Sequence, residues 1–230
     1  YGPFAMYDLG ATAAILGTIG FVQTLALAVV QFPGGYLADR YGRKWLISTL
    51  TFGVALSFLF FVFAPSWHWI LVGGIIANLC LIYQPALMAM ISDSTPPEKR
   101  GMAFSLTTLI GNVATTPAPI IAGIIVSLYT RAFGMRIIYA IVVMGYLAAA
   151  ILRSRLKETI RTEERIKPRH LLASYPQAIK ESFAVWKTVP RSVFFLVTSN
   201  LIISFAVSLS QLFFAVYAVE GDRSVLNINQ

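Results

Sequence analysis

Charged side chains make up only 12% of this sequence, so the places where they gather define the chemistry open to it. The densest gathering is Gly35-Tyr36-Leu37-Ala38-Asp39-Arg40-Tyr41-Gly42-Arg43-Lys44, which sets one carboxylate, Asp39, among the cations Arg40, Arg43 and Lys44. A second, Asp93-Ser94-Thr95-Pro96-Pro97-Glu98-Lys99-Arg100-Gly101, brings Asp93 close to Arg100. Carboxylates in such company form ion pairs and settle at helix N-termini, where one gains about 0.3–1 kcal/mol. Gly35 would let two helices pack closely, and Gly42 would allow a turn at positive φ. Bond-making chemistry needs a nucleophile with a base, paired carboxylates or a metal cluster. His68 lies between Trp67 and Trp69, as an interfacial belt residue would, and His170 lies in a basic stretch; neither has an acid at hand. The single cysteine, Cys80, sits in an apolar run with no metal-ligand spacing around it. No catalytic residue, metal site or cofactor is expected.

The remaining polar residues are uncharged and fall in stripes. Ser105, Thr108, Asn112, Thr115 and Pro119 recur at 3–4 residue spacing, and so do Asn200, Ser204, Ser208 and Gln211. Asn78 and Gln84 share one apolar run, and Gln23 and Gln31 another. Such stripes either line a polar cavity or hydrogen-bond between helices at about 0.6 kcal/mol per bond. Gly17, Gly20, Gly73 and Gly74 read as packing notches.

The elements that carry these residues follow from the gaps between charges. No Asp, Glu, Lys or Arg lies within 9–38, 45–92, 102–130, 137–152 or 192–219. A helix crosses a bilayer with about 20 apolar residues. Four stretches reach that length directly, and 137–152 does so by including Ala132 to Arg136. The stretch 45–92 is long enough for two crossings, divided at Ala64-Pro65-Ser66-Trp67-His68. Runs such as Ile120 to Leu128 do not alternate as barrel strands would. The fold class is therefore all-α, a polytopic membrane protein with helices near 11–36, 45–64, 67–92, 102–128, 133–153 and 192–219.

A net charge of +8 alone is compatible with nucleic-acid binding, but its placement points to a bilayer. All but Arg131, Arg136 and Arg223 of the 18 Lys and Arg fall near 40, near 97 or within 153–191. By the positive-inside rule the loops near 40, 97 and 154–190 are cytoplasmic. No aromatic-basic platform accompanies the charge, so no nucleic-acid partner is expected. Within the connector, Leu171, Leu172, Tyr175, Ala178, Ile179, Ser182, Phe183 and Trp186 share a face opposite Lys180, Glu181 and Lys187, which reads as an amphipathic helix on the inner membrane surface. The expected division is 1–153, a helical half; 154–190, a linker; and 191–230, the first helix of a second half.

The stretch Gly35 to Lys44 is similar, position for position, to the G-x-x-x-D-R-x-G-R-K signature of the major facilitator superfamily, found between helices two and three of its carriers. Asp93 to Gly101 resembles the loop between helices four and five of that family, and Leu156-Lys157-Glu158-Thr159 resembles its ending after helix six. The resemblance covers essentially the whole chain and implies a bundle of that type, with helices two to seven of twelve present. A weak internal echo agrees: Phe4-Ala5 before Asp8-Leu9-Gly10 is matched late by Phe214-Ala215-Val216-Tyr217 before Gly221-Asp222, with Leu226 to Gln230 entering a further helix.

What the resemblance implies is a secondary transporter of the plasma membrane working by alternating access. Asp39 would be the acceptor of a latch closing the cytoplasmic side, Arg43 its local partner and Asp93 a second carboxylate, with Gly35, Arg40, Gly42, Lys44 and Arg100 in the same signature loops. Asn78, Thr108, Asn112, Thr115, Asn200, Ser204 and Gln211 are candidates for the cavity wall. The partners implied are the lipid bilayer and a small organic solute, with a coupling proton left open. Exporters of the family often carry an Arg in helix four, absent from Leu71 to Asn78. They also carry G-P-x-x-G-G in helix five, of which Ala118 to Gly123 keeps Pro119 and Gly123. Efflux of lipophilic or neutral compounds, uptake of a neutral metabolite such as a sugar, and a non-transporting sensor or scaffold all stay open.

Overall fold

A computed structural model describes the backbone of residues 1–158, 180 and 190–227, and their side chains except at 32, 33, 36, 39–41 and 210–227. Among the described residues every regular element is helical: α1 (Gly2–Tyr7), α2 (Ala13–Tyr41), α3 (Arg43–Val62), α4 (Trp67–Cys80), α5 (Gln84–Asp93), α6 (Arg100–Thr115), α7 (Ala118–Leu128), α8 (Arg131–Ser154) and α9 (Arg191–Asn227). By length and composition six segments among the described residues can cross a bilayer, the α4–α5 pair and the α6–α7 pair each counting once. The turn expected at Ala64-Pro65-Ser66 falls between α3 and α4.

Proline sets the two internal breaks that hydropathy does not reveal. A 3₁₀ turn, Leu81–Tyr83, joins α4 to α5 just ahead of Pro85, which cannot donate to the preceding turn. Residues Thr116 and Pro117 separate α6 from α7, so the expected single helix 102–128 is two pieces. In the other direction, α9 is longer than expected. It runs through Gly221 and Asp222 to Asn227, where a loop and a new helix were expected. A glycine inside a helix costs about 1 kcal/mol, too little by itself to end one. The proposed amphipathic helix of the connector lies almost wholly outside the described residues.

The bundle is organised around α3, which packs most extensively against α8 and α4, while α2 lies along α4, α5 and the 3₁₀ turn. Close approach depends on small residues. A Cβ on Gly73 would stand 2.7 Å from Phe60 Cβ and 3.0 Å from the Ser57 carbonyl, and one on Gly53 would stand 2.7 Å from Cys80 Sγ. Buried hydroxyls satisfy themselves within α3: Thr51 donates to the Ile47 carbonyl (2.6 Å) and Ser57 to the Val54 carbonyl (2.6 Å), as a span without water requires. One core cluster, with Phe4, Leu16, Ile19, Phe61, Ile70 and Tyr139, lies toward the end carrying Asp8 and Ala64. The other, with Leu46, Ile47, Val54, Tyr83 and Met90, lies toward the end carrying Gly42 and Asp93. By contrast α6 and α7 bury no residue, and aliphatics such as Leu109, Val113 and Ile120 stand open. Such a surface suits lipid or further helices rather than water.

Candidate functional site

Three chain segments meet at one end of the bundle. Gly42 takes φ 95° and ψ 130°, a conformation open to glycine and strained for other residues, so α2 and α3 are joined by a single residue. That choice has a cost. Gly42 is also the N-cap of α3 and has no side chain to accept from the first amides of the helix. Glu158, beyond the end of α8, supplies the missing acceptors: the amides of Arg43 and Lys44 donate to its two carboxylate oxygens at 3.3 and 3.0 Å. The helix dipole favours the same placement. We expect Glu158→Ala to lower stability by about 1 kcal/mol, and Glu158→Gln, which keeps one acceptor oxygen, by less. Thermal unfolding in detergent reads both.

Arg43 turns inward. Its Nη1 donates to Asp93 Oδ2 at 2.5 Å, with the arginine side chain 8% exposed and the aspartate 45%. The Arg100 Nε donates to the Ser92 carbonyl at 3.1 Å, so a second cation meets the last turn of α5. Of the signature residues, then, Gly42, Arg43, Lys44, Asp93 and Arg100 come together here with Glu158. The side chains of Asp39 and Arg40 lie outside the described residues. The tight helix contact falls on Gly34 rather than on Gly35: a Cβ on Gly34 would overlap the Ile82 carbonyl oxygen of the 3₁₀ turn, whereas one on Gly35 would meet only Pro85 Cβ at 3.9 Å.

Arg153, read from sequence as the last residue of the helix 133–153 and the first of the basic run 153–191, reaches back into the bundle. Its Nη1 donates to Thr51 at 2.8 Å and its guanidinium lies 5.0 Å from the Tyr83 ring centre. It therefore ties α8 to α3 and to the 3₁₀ turn. The opposite end is held by Arg131, which grips both oxygens of Asp8 at 2.7 and 3.3 Å and lies over the Tyr7 ring, and by Arg136, which donates to the Ala64 carbonyl.

Between the ends lies an open cavity of about 800 Å³, a cleft rather than an enclosed chamber, lined on one side by Gly20, Phe21, Gln23, Thr24 and Leu27 of α2 and Asn78 of α4, and on the other by Phe205, Ser208 and Leu209 of α9, with Tyr1 beside them. This volume suits a small organic molecule. Asn78, a sequence candidate, is in the wall, and so is Ser208 from the last polar stripe. Gln23 belongs to it as well. Its amide nitrogen donates to the Ile70 carbonyl at 3.3 Å, in space left by Gly74, where any Cβ would collide with it. Gly74 is thus a seat for an amide, whereas Gly73 is a notch for α3.

The other candidates stand elsewhere. Thr108, Asn112 and Thr115 are exposed on α6, the two hydroxyls donating to carbonyls of their own helix, and none lines this cavity. Asn200 and Ser204 are exposed on α9 outside the described lining, and the side chain of Gln211 lies outside the described residues. Gln31 and Gln84 bond to each other across α2 and α5 at 3.3 Å. Sequence reasoning missed the cap by Glu158 and the seat of Gln23. The first had a readable signal, a glycine N-cap that must borrow its acceptor; the second had none, because it depends on which residue of α2 faces Gly74.

Comparison with known proteins places this arrangement. An antiporter of Planococcus maritimus named for Na⁺, Li⁺ and K⁺ exchange with H⁺ is 28% identical over 156 residues, 65% of this chain and 36% of its own length. The multi-drug resistance efflux pump PmrA of Streptococcus pneumoniae is 30% identical over 132 residues, 57% of this chain and 32% of its own. The chain spans about a third of the length of the curated relatives it matches. In fold it is similar to the crystal structure of peptide transporter POT with sulfate, at a TM-score of 0.52 and 14% identity, over 95% of this chain and 47% of that one. The family model of the Major Facilitator Superfamily matches residues 1–226, and the chain belongs to that superfamily.

Proposed function

We propose that this chain forms part of a secondary transporter that moves a small organic solute across the plasma membrane by alternating access. The observation that carries the reading is the cavity itself, whose walls come from α2 and α4 on one side of the connector and from α9 on the other. Two helical halves that rocked about this seam would open it to each side in turn. The end holding Gly42, Arg43, Asp93 and Glu158 is assigned to the cytoplasm, since the basic residues concentrate there. On this reading Arg43 and Asp93, together with Asp39, form the latch that closes that side.

Export of neutral or lipophilic compounds is the first reading, supported by the efflux pump among the relatives and by the aromatic lining from Phe21 and Phe205. Uptake of a neutral metabolite such as a sugar is the second, favoured by the amides of Gln23 and Asn78 in the wall. A coupling proton is suggested by the name of the antiporter relative; the apolar stretches themselves contain no Asp or Glu to carry it. The test uses the full-length protein in proteoliposomes with a labelled lipophilic cation, sugar, amino acid and dicarboxylate, with and without a pH gradient. Gradient-driven movement of one solute, lost in Asp39→Ala, is the expected result. Flux no higher than in empty liposomes for every solute would count against transport.

A further inference from the structure

The polarity of the cavity wall narrows the solute class, resting on the transport reading just given. Gln23 and Asn78 both spend an N–H on the backbone of α4: Gln23 Nε2 donates to the Ile70 carbonyl and Asn78 Nδ2 to the Gly74 carbonyl at 2.8 Å, one turn apart. A carbonyl oxygen has no proton to give, so each amide must face it with nitrogen, and its own oxygen is turned away from that contact. Neither Gln23 Oε1 nor Asn78 Oδ1 accepts a hydrogen bond from a described residue. Each side chain keeps two lone pairs against one remaining N–H, so acceptors outnumber donors on this wall. Thr24 and Ser208 add hydroxyls that can serve either way.

Tyr1, Phe21 and Phe205 line the same space, and no Lys, Arg, Asp or Glu is among the described lining residues. An anionic group entering here would lose water and meet oxygen lone pairs and aromatic residues, with no cation among the described lining side chains to replace its hydration. An ammonium group would meet acceptors for its protons and aromatic faces for its charge. Desolvation of the cation is then partly offset, and desolvation of the anion is not. We infer that the cavity selects solutes whose polar end donates hydrogen bonds, protonated organic amines above all, and rejects carboxylates.

The test separates donation from charge. Binding of 2-phenylethylammonium, its N-trimethyl analogue, 2-phenylethanol and 3-phenylpropanoate to the full-length protein in detergent is measured by displacement calorimetry or equilibrium dialysis. The primary ammonium should bind about ten times tighter than the trimethyl analogue, which carries the charge without a proton, or about 1.4 kcal/mol; the carboxylate should bind weakest. Gln23→Met and Asn78→Leu, which keep size and remove the acceptor, should each shrink that tenfold gap. Gly74→Ala should do so too, by displacing the Gln23 amide without altering any lining residue's chemistry. Thermal unfolding confirms that each variant is folded, and the conservative Gln23→Glu should keep the ammonium preference. Equal or tighter binding of the trimethyl or carboxylate probe, no binding of any probe, or a gap unchanged in both Gln23→Met and Asn78→Leu would overturn the inference. The two proposals fail separately: a donor preference without flux in liposomes sinks the carrier reading alone, and flux without a donor preference sinks the selectivity alone.

Discussion

Asp93→Asn is expected to reduce transport by the full-length protein at least tenfold while leaving it folded and membrane-inserted. The reason lies in the unequal burial of the pair. Arg43 is nearly enclosed and Asp93 is almost half exposed, so losing the aspartate removes one partner of a guanidinium that water scarcely reaches. Losing the arginine leaves an aspartate that can rehydrate. Removing one partner of a fully buried pair costs about 3–5 kcal/mol; with Asp93 partly solvated and Arg43 in contact with other groups, about 1–2 kcal/mol is the expected loss here, discounted for screening. Arg43→Gln should therefore destabilise less than Asp93→Asn, and the double variant should be no worse than the single Asp93→Asn, a non-additivity that a double-mutant cycle detects. If the pair closes the cytoplasmic side as proposed, transport should nonetheless fall in all three. Equal stability losses in the two single variants, with full additivity in the double, would show the pair to be decorative.

Gly34 is expected to be the least replaceable glycine of the signature region, and Gly35 to tolerate change. At Gly34 even a methyl group would overlap the Ile82 carbonyl, part of a backbone turn that cannot swing aside as a flexible side chain would. Relief requires α2 to separate from the Leu81–Tyr83 turn, losing the van der Waals contact that holds helices together where lipid supplies no hydrophobic drive. Overpacking of this kind costs about 1–3 kcal/mol. Gly34→Ala should fall in the upper part of that range and Gly34→Leu should fail to accumulate in the membrane. Gly35→Ala, meeting only Pro85 at 3.9 Å, should stay within about 0.5 kcal/mol of the parent, as surface substitutions do. Expression level and thermal unfolding midpoint in detergent check the contrast, and similar behaviour of the two alanine variants would refute it.

The membrane helices were legible because a bilayer imposes a length and forbids unpaired backbone polar groups; charge-free runs of the right size had little alternative. The positions of the breaks were less legible. Pro85 and Pro117 were visible, yet hydropathy does not register a broken hydrogen bond, so α4–α5 and α6–α7 read as single helices. At the other extreme, Gly221 looked like a stop and the chain continues through it. The signature loop was legible as a motif, and Gly42 takes the positive φ it implied. Which glycine makes the tight crossing was not, since Gly34 and Gly35 differ only in the rotation of α2 against Ile82. The same holds for the cavity wall: spacing identifies a polar stripe, but only packing decides that Asn78 and Ser208 face a common space while Thr108, Asn112 and Thr115 stand on an open face of α6. In sequence only a family resemblance marks the segment that holds Glu158; its work as the cap of α3 follows from a glycine 116 positions earlier having nothing to offer.

The central claim, a cavity between α2, α4 and α9 that opens in turn to the two sides, is tested most directly by the accessibility of Ser208. Ser208→Cys is placed in the full-length protein with Cys80 and any other cysteine replaced, and a membrane-impermeant maleimide is applied to right-side-out and to inside-out vesicles. The account predicts labelling from both sides, and a shift toward labelling from the side of the Gly42 and Asp93 loops when Asp93→Asn is added. Labelling from one side only, unchanged by Asp93→Asn, would contradict alternating access and the latch together.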